Sequence, residues 1–408
     1  MNMQKQILAL TIIMLAISCT TARQVTTAQN SLRGEIEQIY HKGYFKGFAV
    51  SIVNAEGPLY EQGFGFSDTA QHKKYSHTTI QNIASISKTF VGIALLKAKE
   101  LGKLNLEDPI EKYLPFKVIN PHFPEEKITI KQLATHTSSV TDNAFYLQKN
   151  YYLKAGQDLK NLKLNFDDEQ IFNPSDSIMS MDSFLKNMLA TDGKWNRNSF
   201  LNNKPGTFYE YSNMGTALAA YIVEMATGEP FNEFTQKHIL GPLKMHQSGW
   251  KFQDIKFSKF STLFQDPKTP LPFYEMITYP DGGLITSVSD LGKFLSELIR
   301  GYNGKGTILS NSSYKEYFQP QLSASNFKER NEQNPYSESY NVGLFIGYGY
   351  TGYIGHTGGD PGTLSMMFFD PKKGTGRIMV FNTNFSDKQG NDAFYGIWNL
   401  LEKYEGKF

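Results

Sequence analysis

Residues 80–102 read IQNIASISKTFVGIALLKAKELG. After Ile80 the hydrophobic period changes: Ile86, Phe90, Ile93, Ala94 and Leu101 recur at helical spacing, and Gly102 supplies a stop signal. The reading predicts an extended segment running into a long apolar helix, with Ser85 at the helix start. Ser85-Ile-Ser-Lys88 is a Ser-x-x-Lys tetrad, and residues three apart share one face of a helix. A serine hydroxyl is a poor nucleophile until a base takes its proton, and a lysine whose ammonium is disfavoured by burial can be that base. At a helix N-terminus the backbone N–H groups and the dipole also favour an oxyanion formed on attack.

Outward from this helix, the β-branched and aromatic runs 46–53 and 59–66 flank Asn54-Ala-Glu-Gly57, which predicts a hairpin. Toward the other end, 363–369 alternates through Leu364, Met366 and Phe368, a Pro- and Gly-containing turn covers 370–376, and 377–382 is extended. Helical spacing returns over 214–227 up to Gly228, near 289–298, and over about 392–404. The polar stretch 142–203 has no sustained period and reads as loops and short helices that border a cleft. Strands at both ends with helices between predict a mixed α/β (α+β) fold, an antiparallel sheet flanked by terminal helices with an inserted, mostly helical lobe. The expected boundaries are a sheet lobe of about 32–84 and 275–408 and a helical lobe of about 85–274.

Composition narrows the function. Lysine plus arginine is 41 against 39 acidic residues, a formal +2, which offers no basic excess for a phosphate backbone and argues against nucleic acid as a partner. The eight histidines show no metal-ligand spacing, and a single cysteine builds no thiolate site, so neither a metal nor another cofactor is expected. Lys5, the apolar run 7–17 and Cys19 read as a signal peptide over 1–19, followed by a polar tether over 20–31. Cys19 resembles the lipid acceptor of a bacterial lipoprotein, although Ala16 stands where that pattern prefers leucine; the alternative is a plain cleaved leader. Either implies export to the cell envelope, with a membrane contacted only through a lipid.

The tetrad alone decides little, because it recurs at Ser183–Lys186, Ser248–Lys251, Ser312–Lys315 and Ser325–Lys328. Context separates Ser85, since only there does the tetrad open a long apolar helix. Two further motifs each occur once. Tyr211-Ser-Asn213 follows the Pro205-Gly206 turn just before a helix, which puts a phenol and an amide at a loop tip. His356-Thr-Gly358 lies on a strand, where a residue without a side chain lets a substrate backbone pair along the edge. Asn213 as a helix cap and His356 as a hydrogen-bonded strand residue are the bland alternatives, and His136 reads as a structural loop residue.

In the order Ser-x-x-Lys, Tyr-x-Asn, His-Thr-Gly, the chain resembles the class C β-lactamase and penicillin-binding-protein-like serine hydrolase family. The segments around 101–115, Ile128–Ser138, Pro205–Thr207 and Gly282–Leu284 match in the same order, so the resemblance covers about residue 31 to the C-terminus. It implies Ser85 as acylated nucleophile, Lys88 as its base or proton partner and Tyr211 as second proton handler. It further implies Asn213 orienting substrate or Lys88, and backbone N–H groups of Ser85 and Gly359 as the oxyanion hole, beside His356, Thr357 and Gly358. His356 stands where family β-lactamases carry lysine, which removes a permanent cation for a substrate carboxylate. The resemblance therefore implies hydrolysis of an ester or a D-amino-acid-containing peptide or amide through an acyl-enzyme. A β-lactamase and a penicillin-recognising protein without turnover are the alternatives; oligomeric state is left open.

Overall fold

The computed structural model describes residues 24–160, 162–327, 343–348 and 352–408. The expected leader and Cys19 lie outside the described residues. In chain order the principal elements are helix α1 (24–40), strands β1 (Gly47–Asn54), β2 (Gly57–Asp68) and β3 (Lys73–Lys74), and helices α2 (Ser87–Glu100), α3 (Asn213–Thr227) and α4 (Val288–Tyr302). Strands β4 (Gly347–Tyr348), β5 (Ile354–Asp360), β6 (Thr363–Asp370) and β7 (Thr375–Phe381) and helix α5 (Lys388–Tyr404) complete them. Among the described residues no helix is long and apolar enough to cross a membrane.

The chain divides into two compact units, the described residues 24–44 with Ser386–Phe408, and Phe45–Phe385. In the first, Val25, Ala28, Leu32 and Ile36 recur at helical spacing and are partly or fully buried, which gives α1 one apolar face. Residues 24–31, expected as part of a polar tether, are thus helical. Glu35 of α1 accepts from Lys403 at 2.7 Å and from the Tyr404 hydroxyl at 2.5 Å, joining α1 to the end of α5.

The second unit is built on a seven-stranded sheet in the order β4-β5-β6-β7-β1-β2-β3, with each neighbouring pair antiparallel. The early strand β1 pairs with the late strand β7 from Phe48↔Phe381 to Asn54↔Thr375, so the sheet is closed by segments from both ends of the sequence, as the strand pattern predicts. Ala49, Val53 and Val380 of the sheet share one core with Phe90, Leu95, Phe184 and Leu218 from the helical residues. The residues of the expected sheet lobe (about 32–84 and 275–408) and helical lobe (about 85–274) thus contribute to one continuous core. Phe90 of α2 stacks on Phe294 of α4 with centroids 3.8 Å apart, fixing the nucleophile helix against its neighbour.

Two small pairings position the site. Ile80–Asn82 pairs antiparallel with Ile285–Ser287, and the Ile83 N–H donates to the Leu284 carbonyl at 3.0 Å. The Gly282-Gly283 loop is thereby held beside Ser85. Tyr151–Leu153 lies between Phe172–Asn173 and Tyr274–Met276 in a three-stranded sheet, which gives part of the 142–203 segment a fixed backbone.

Candidate active site

Ser85 sits in a single 3-10 turn, Ala84–Ile86, one step before α2. Ala84 enters that turn at φ +49°, a left-handed conformation that is costly for a residue with a β-carbon. The turn is held by the short strand before it and by the helix after it. Lys88 is fully buried, and its Nζ donates to Ser85 Oγ at 3.0 Å and to the Asp281 carbonyl at 2.5 Å. Burial lowers the Lys88 amine to a pKa of about 8, against the opposing pull of Asp281, Asp142 and Asp360. The competing tetrad serine at 248 is engaged elsewhere, with Thr286 at 2.6 Å and Asp290 at 3.1 Å.

Tyr211 comes to this pair from the loop before α3. Its ring centroid lies 5.0 Å from Lys88 Nζ, within range of a cation–π attraction. His136 packs beneath it with centroids 4.6 Å apart, and the His136 Nδ1 accepts the Ser212 N–H at 3.2 Å. Burial first, then the neighbouring Lys88 and His356, hold His136 well below the ordinary histidine range, so it packs as a neutral ring. The helix cap is Ser212, whose Oγ accepts from the Gly215 N–H at 2.9 Å. Asn213 heads the helix instead, and its side-chain amide donates to Asp142 at 2.8 Å. Asp142 also accepts the backbone N–H groups of Asn213 at 3.1 Å and Met214 at 2.8 Å, which places it at the positive end of α3. Neither His136 nor Asp142 stands out in the sequence as a site residue; each acts by holding Tyr211 and Asn213 in place.

Strand β5 supplies the opposite wall. His356 is buried, and its Nδ1 lies 2.6 Å from the Thr357 carbonyl, a contact in which the ring N–H donates. Burial and Lys88 push its pKa down to about 4, so it carries no cation at neutral pH. Gly358 serves differently from the sequence reading. A β-carbon there would collide with the Ser365 hydroxyl and the Ile83 carbonyl oxygen, so the glycine lets β5 close on the turn that carries Ser85. It therefore backs the site rather than facing substrate. Thr357 and Gly359 are exposed, and β4 pairs only with Ile354 and Gly355, so the edge from His356 to Asp360 has no further strand among the described residues.

These residues converge on a cleft of about 310 Å³ lined by Ser85, Tyr211, Asn213, His356, Thr357 and Gly359. Lys88 lies under its floor. The polar part of the remaining lining is acidic and phenolic, Tyr146, Tyr151, Asp281 and Asp360, with Met276 and Gly282 beside them. Tyr146 donates to Asp281 at 3.0 Å and Tyr151 to Asp360 at 2.9 Å. Burial pushes both carboxyls up to about 7. In the sequence Asp281 adjoins Gly282-Gly283 and Asp360 adjoins Gly359, but adjacency to a motif does not distinguish them from surface acids. Among the described residues no group of three or more His, Cys, Asp or Glu is arranged to hold a metal.

The beta-lactamase family profile matches residues 32–402 of this chain, so the chain belongs to the beta-lactamase family. That places it among the penicillin-binding-protein-like hydrolases that its motifs resemble. Protein flp of Staphylococcus aureus (strain MW2) is 27% identical over 371 residues, covering 89% of this chain and 64% of that protein; the chain thus spans less than two-thirds of this relative's length. Among solved structures, the octameric penicillin-binding protein homologue from Pyrococcus abyssi matches with a TM-score of 0.67 at 22% identity, covering 92% of this chain and 77% of that chain. The beta-lactamase/D-alanine carboxypeptidase from Yersinia pestis, complexed with citrate, matches at 0.66 and 17% identity, covering 92% and 98%. At these identities the structural likeness speaks for the fold.

Proposed function

We propose that the protein is a serine hydrolase that forms an acyl-enzyme on Ser85 and acts on an ester or on a D-amino-acid-containing peptide or amide. The observation that carries this reading is the buried Lys88 amine 3.0 Å from a serine hydroxyl at the edge of a cleft. Once Lys88 loses a proton, two N–H bonds remain for acceptors such as the Asp281 carbonyl, and a lone pair is left for the Ser85 hydroxyl. Ser85 Oγ attacks the acyl carbon while its proton passes to Lys88, and the carbonyl oxygen takes the negative charge beside the Ser85 and Gly359 backbone. Collapse breaks the bond to the leaving group, which takes a proton by way of Lys88 and Tyr211. A water then attacks the ester on Ser85, gives a proton back along the same route, and releases the acid with Ser85 restored. A neutral His356 leaves a substrate carboxylate without a partner, which favours this reading over efficient β-lactam hydrolysis. Export to the cell envelope, read from the leader, accompanies the proposal.

A fluorescent phosphonate tests it. Wild type is expected to label and Ser85→Ala is not, and a simple p-nitrophenyl ester is expected to give many turnovers. Equal labelling of the two proteins removes Ser85 from its role, and a single burst without turnover supports the non-turnover alternative.

A further inference from the structure

Besides the hydroxyl and phenol assigned to chemistry, the cleft is lined by two carboxyls that the mechanism does not use, those of the buried Asp281 and the half-buried Asp360. Asp281 is 1% exposed, and one of its oxygens, Oδ2, has no hydrogen-bond partner, while the other takes the Tyr146 phenol. The Thr278 hydroxyl lies near it and stabilises the charged form without making a normal hydrogen bond. Asp360 takes the Tyr151 phenol, and its Oδ2 lies 3.4 Å from the point where a β-carbon on Gly282 would sit. Gly282 directly follows Asp281, whose carbonyl contacts Lys88 at 2.5 Å. The two carboxyls therefore lie close to the reacting serine. A buried acidic oxygen without a donor is costly, and it signals a missing partner.

The charges around the cleft narrow that partner. His136 and His356 are held neutral, and Lys88 is the one cation among the described groups that contact or underlie the cleft, faced by Asp142, Asp281 and Asp360. Such a site repels a carboxylate and attracts a cation. The phenols leave each carboxylate with acceptor capacity that an ammonium, with three donors and no acceptor, can fill. A metal ion fits less well, because among the described residues no third His, Cys, Asp or Glu joins the pair as a ligand.

We propose that Asp281 and Asp360, braced by Tyr146 and Tyr151, form an ammonium-binding subsite, so that the preferred substrate is an acyl compound carrying a protonated amine a few bonds from its scissile carbonyl. The assignment of the amine to the acyl group of a Ser85 ester rests on the hydrolase reading. The binding step itself does not.

Two pairs of compounds, each tested with the amino compound as both enantiomers, separate the two. Wild type is expected to hydrolyse leucine p-nitroanilide with a kcat/KM about tenfold to a hundredfold above that for 4-methylpentanoyl p-nitroanilide, the span of one charge-assisted hydrogen-bond contact. That ratio is expected to fall toward one in Asp360→Asn and to drop in Tyr151→Phe. Independently of turnover, calorimetry on Ser85→Ala is expected to show leucinamide binding at least about tenfold tighter than 4-methylpentanamide, with the difference shrinking in high salt. Equal binding of the two amides by Ser85→Ala overturns the subsite, whether or not the Asp360 variant folds. Hydrolysis of both anilides at equal efficiency overturns it as well and leaves the hydrolase reading standing. Tight leucinamide binding by a protein whose Ser85 never labels keeps the subsite and refutes the hydrolase reading.

Discussion

The reading of Lys88 as the base makes a quantitative demand on pH. A pKa lowered from 10.5 to about 8 corresponds to roughly 3 kcal/mol against the ammonium, supplied by full burial and reduced by three nearby carboxyls. At pH 7 about one-tenth of such a lysine is neutral, against roughly one in three thousand for an unshifted one. With an uncharged substrate such as p-nitrophenyl acetate, kcat/KM is expected to rise about tenfold per pH unit below 8 and to level above it. Lys88→Arg keeps a cation beside Ser85 but has no neutral form in the accessible range, so a loss of roughly 10²- to 10⁴-fold is expected. Urea unfolding of the arginine variant establishes that it is folded, and phosphonate labelling of Ser85 reports the hydroxyl directly. A profile flat from pH 6 to 9, a limb displaced to the ordinary lysine range, or an arginine variant within tenfold of wild type refutes Lys88 as the base.

Other outcomes follow from single contacts. Gly358→Ala drives a β-carbon into the Ile83 carbonyl and the Ser365 hydroxyl, so a loss of about 1–3 kcal/mol in urea unfolding is expected together with a lower kcat; an unchanged midpoint contradicts the close approach. Asp142→Ala strips acceptors from the Met214 and Asn213 N–H groups and the Asn213 amide, and is expected to cost about 2 kcal/mol or more in unfolding while reducing kcat through Tyr211; wild-type values for both refute the positioning role. His356→Lys introduces a cation into the cleft wall, and the second-order rate of acylation by benzylpenicillin is expected to rise about tenfold; no rise separates the missing cation from β-lactam selectivity. Asp360 has a folded-state pKa of about 7, above the ordinary 3.8, so the folded protein binds more protons there and this group's contribution to stability falls as pH rises from about 4 to 7. The stability of Asp360→Asn relative to wild type is therefore expected to grow over that window, and a constant difference between pH 4 and 7 sinks the assignment.

The hairpin at 47–68, the strands at 363–381 and the helix ending at Gly228 were legible because each is specified by local period and punctuation: alternation, a turn, and a glycine that takes φ +75° at the helix end. Residues 24–31 were misread because their polar composition hides Val25 and Ala28, which share a face with Leu32 and Ile36. Gly358 was legible as a residue that must lack a side chain, but not as one that faces the Ile83 carbonyl, since that neighbour comes from 275 residues away in the chain. Asp142, Asp281 and Asp360 escaped for the same reason, whereas His136, read as a structural loop residue, packs under Tyr211 as a neutral ring. A titratable residue acquires its role from burial and partners, and neither is a property of its neighbours in sequence.

By itself, the sequence determined which groups are available for chemistry: the serine and lysine three residues apart on one helical face, the tyrosine at a helix entrance, and the histidine on a strand near the C-terminus. Those follow from spacing and side-chain type, which act over a turn or a strand. The tertiary structure alone decided how far each group departs from its ordinary behaviour. Burying Lys88 under the cleft, neutralising His356 and bringing two carboxyls into the cleft of the nucleophile all require β5, the 278–284 segment and the 142–153 segment to meet, because desolvation and charge–charge attraction depend on distance through space rather than along the chain.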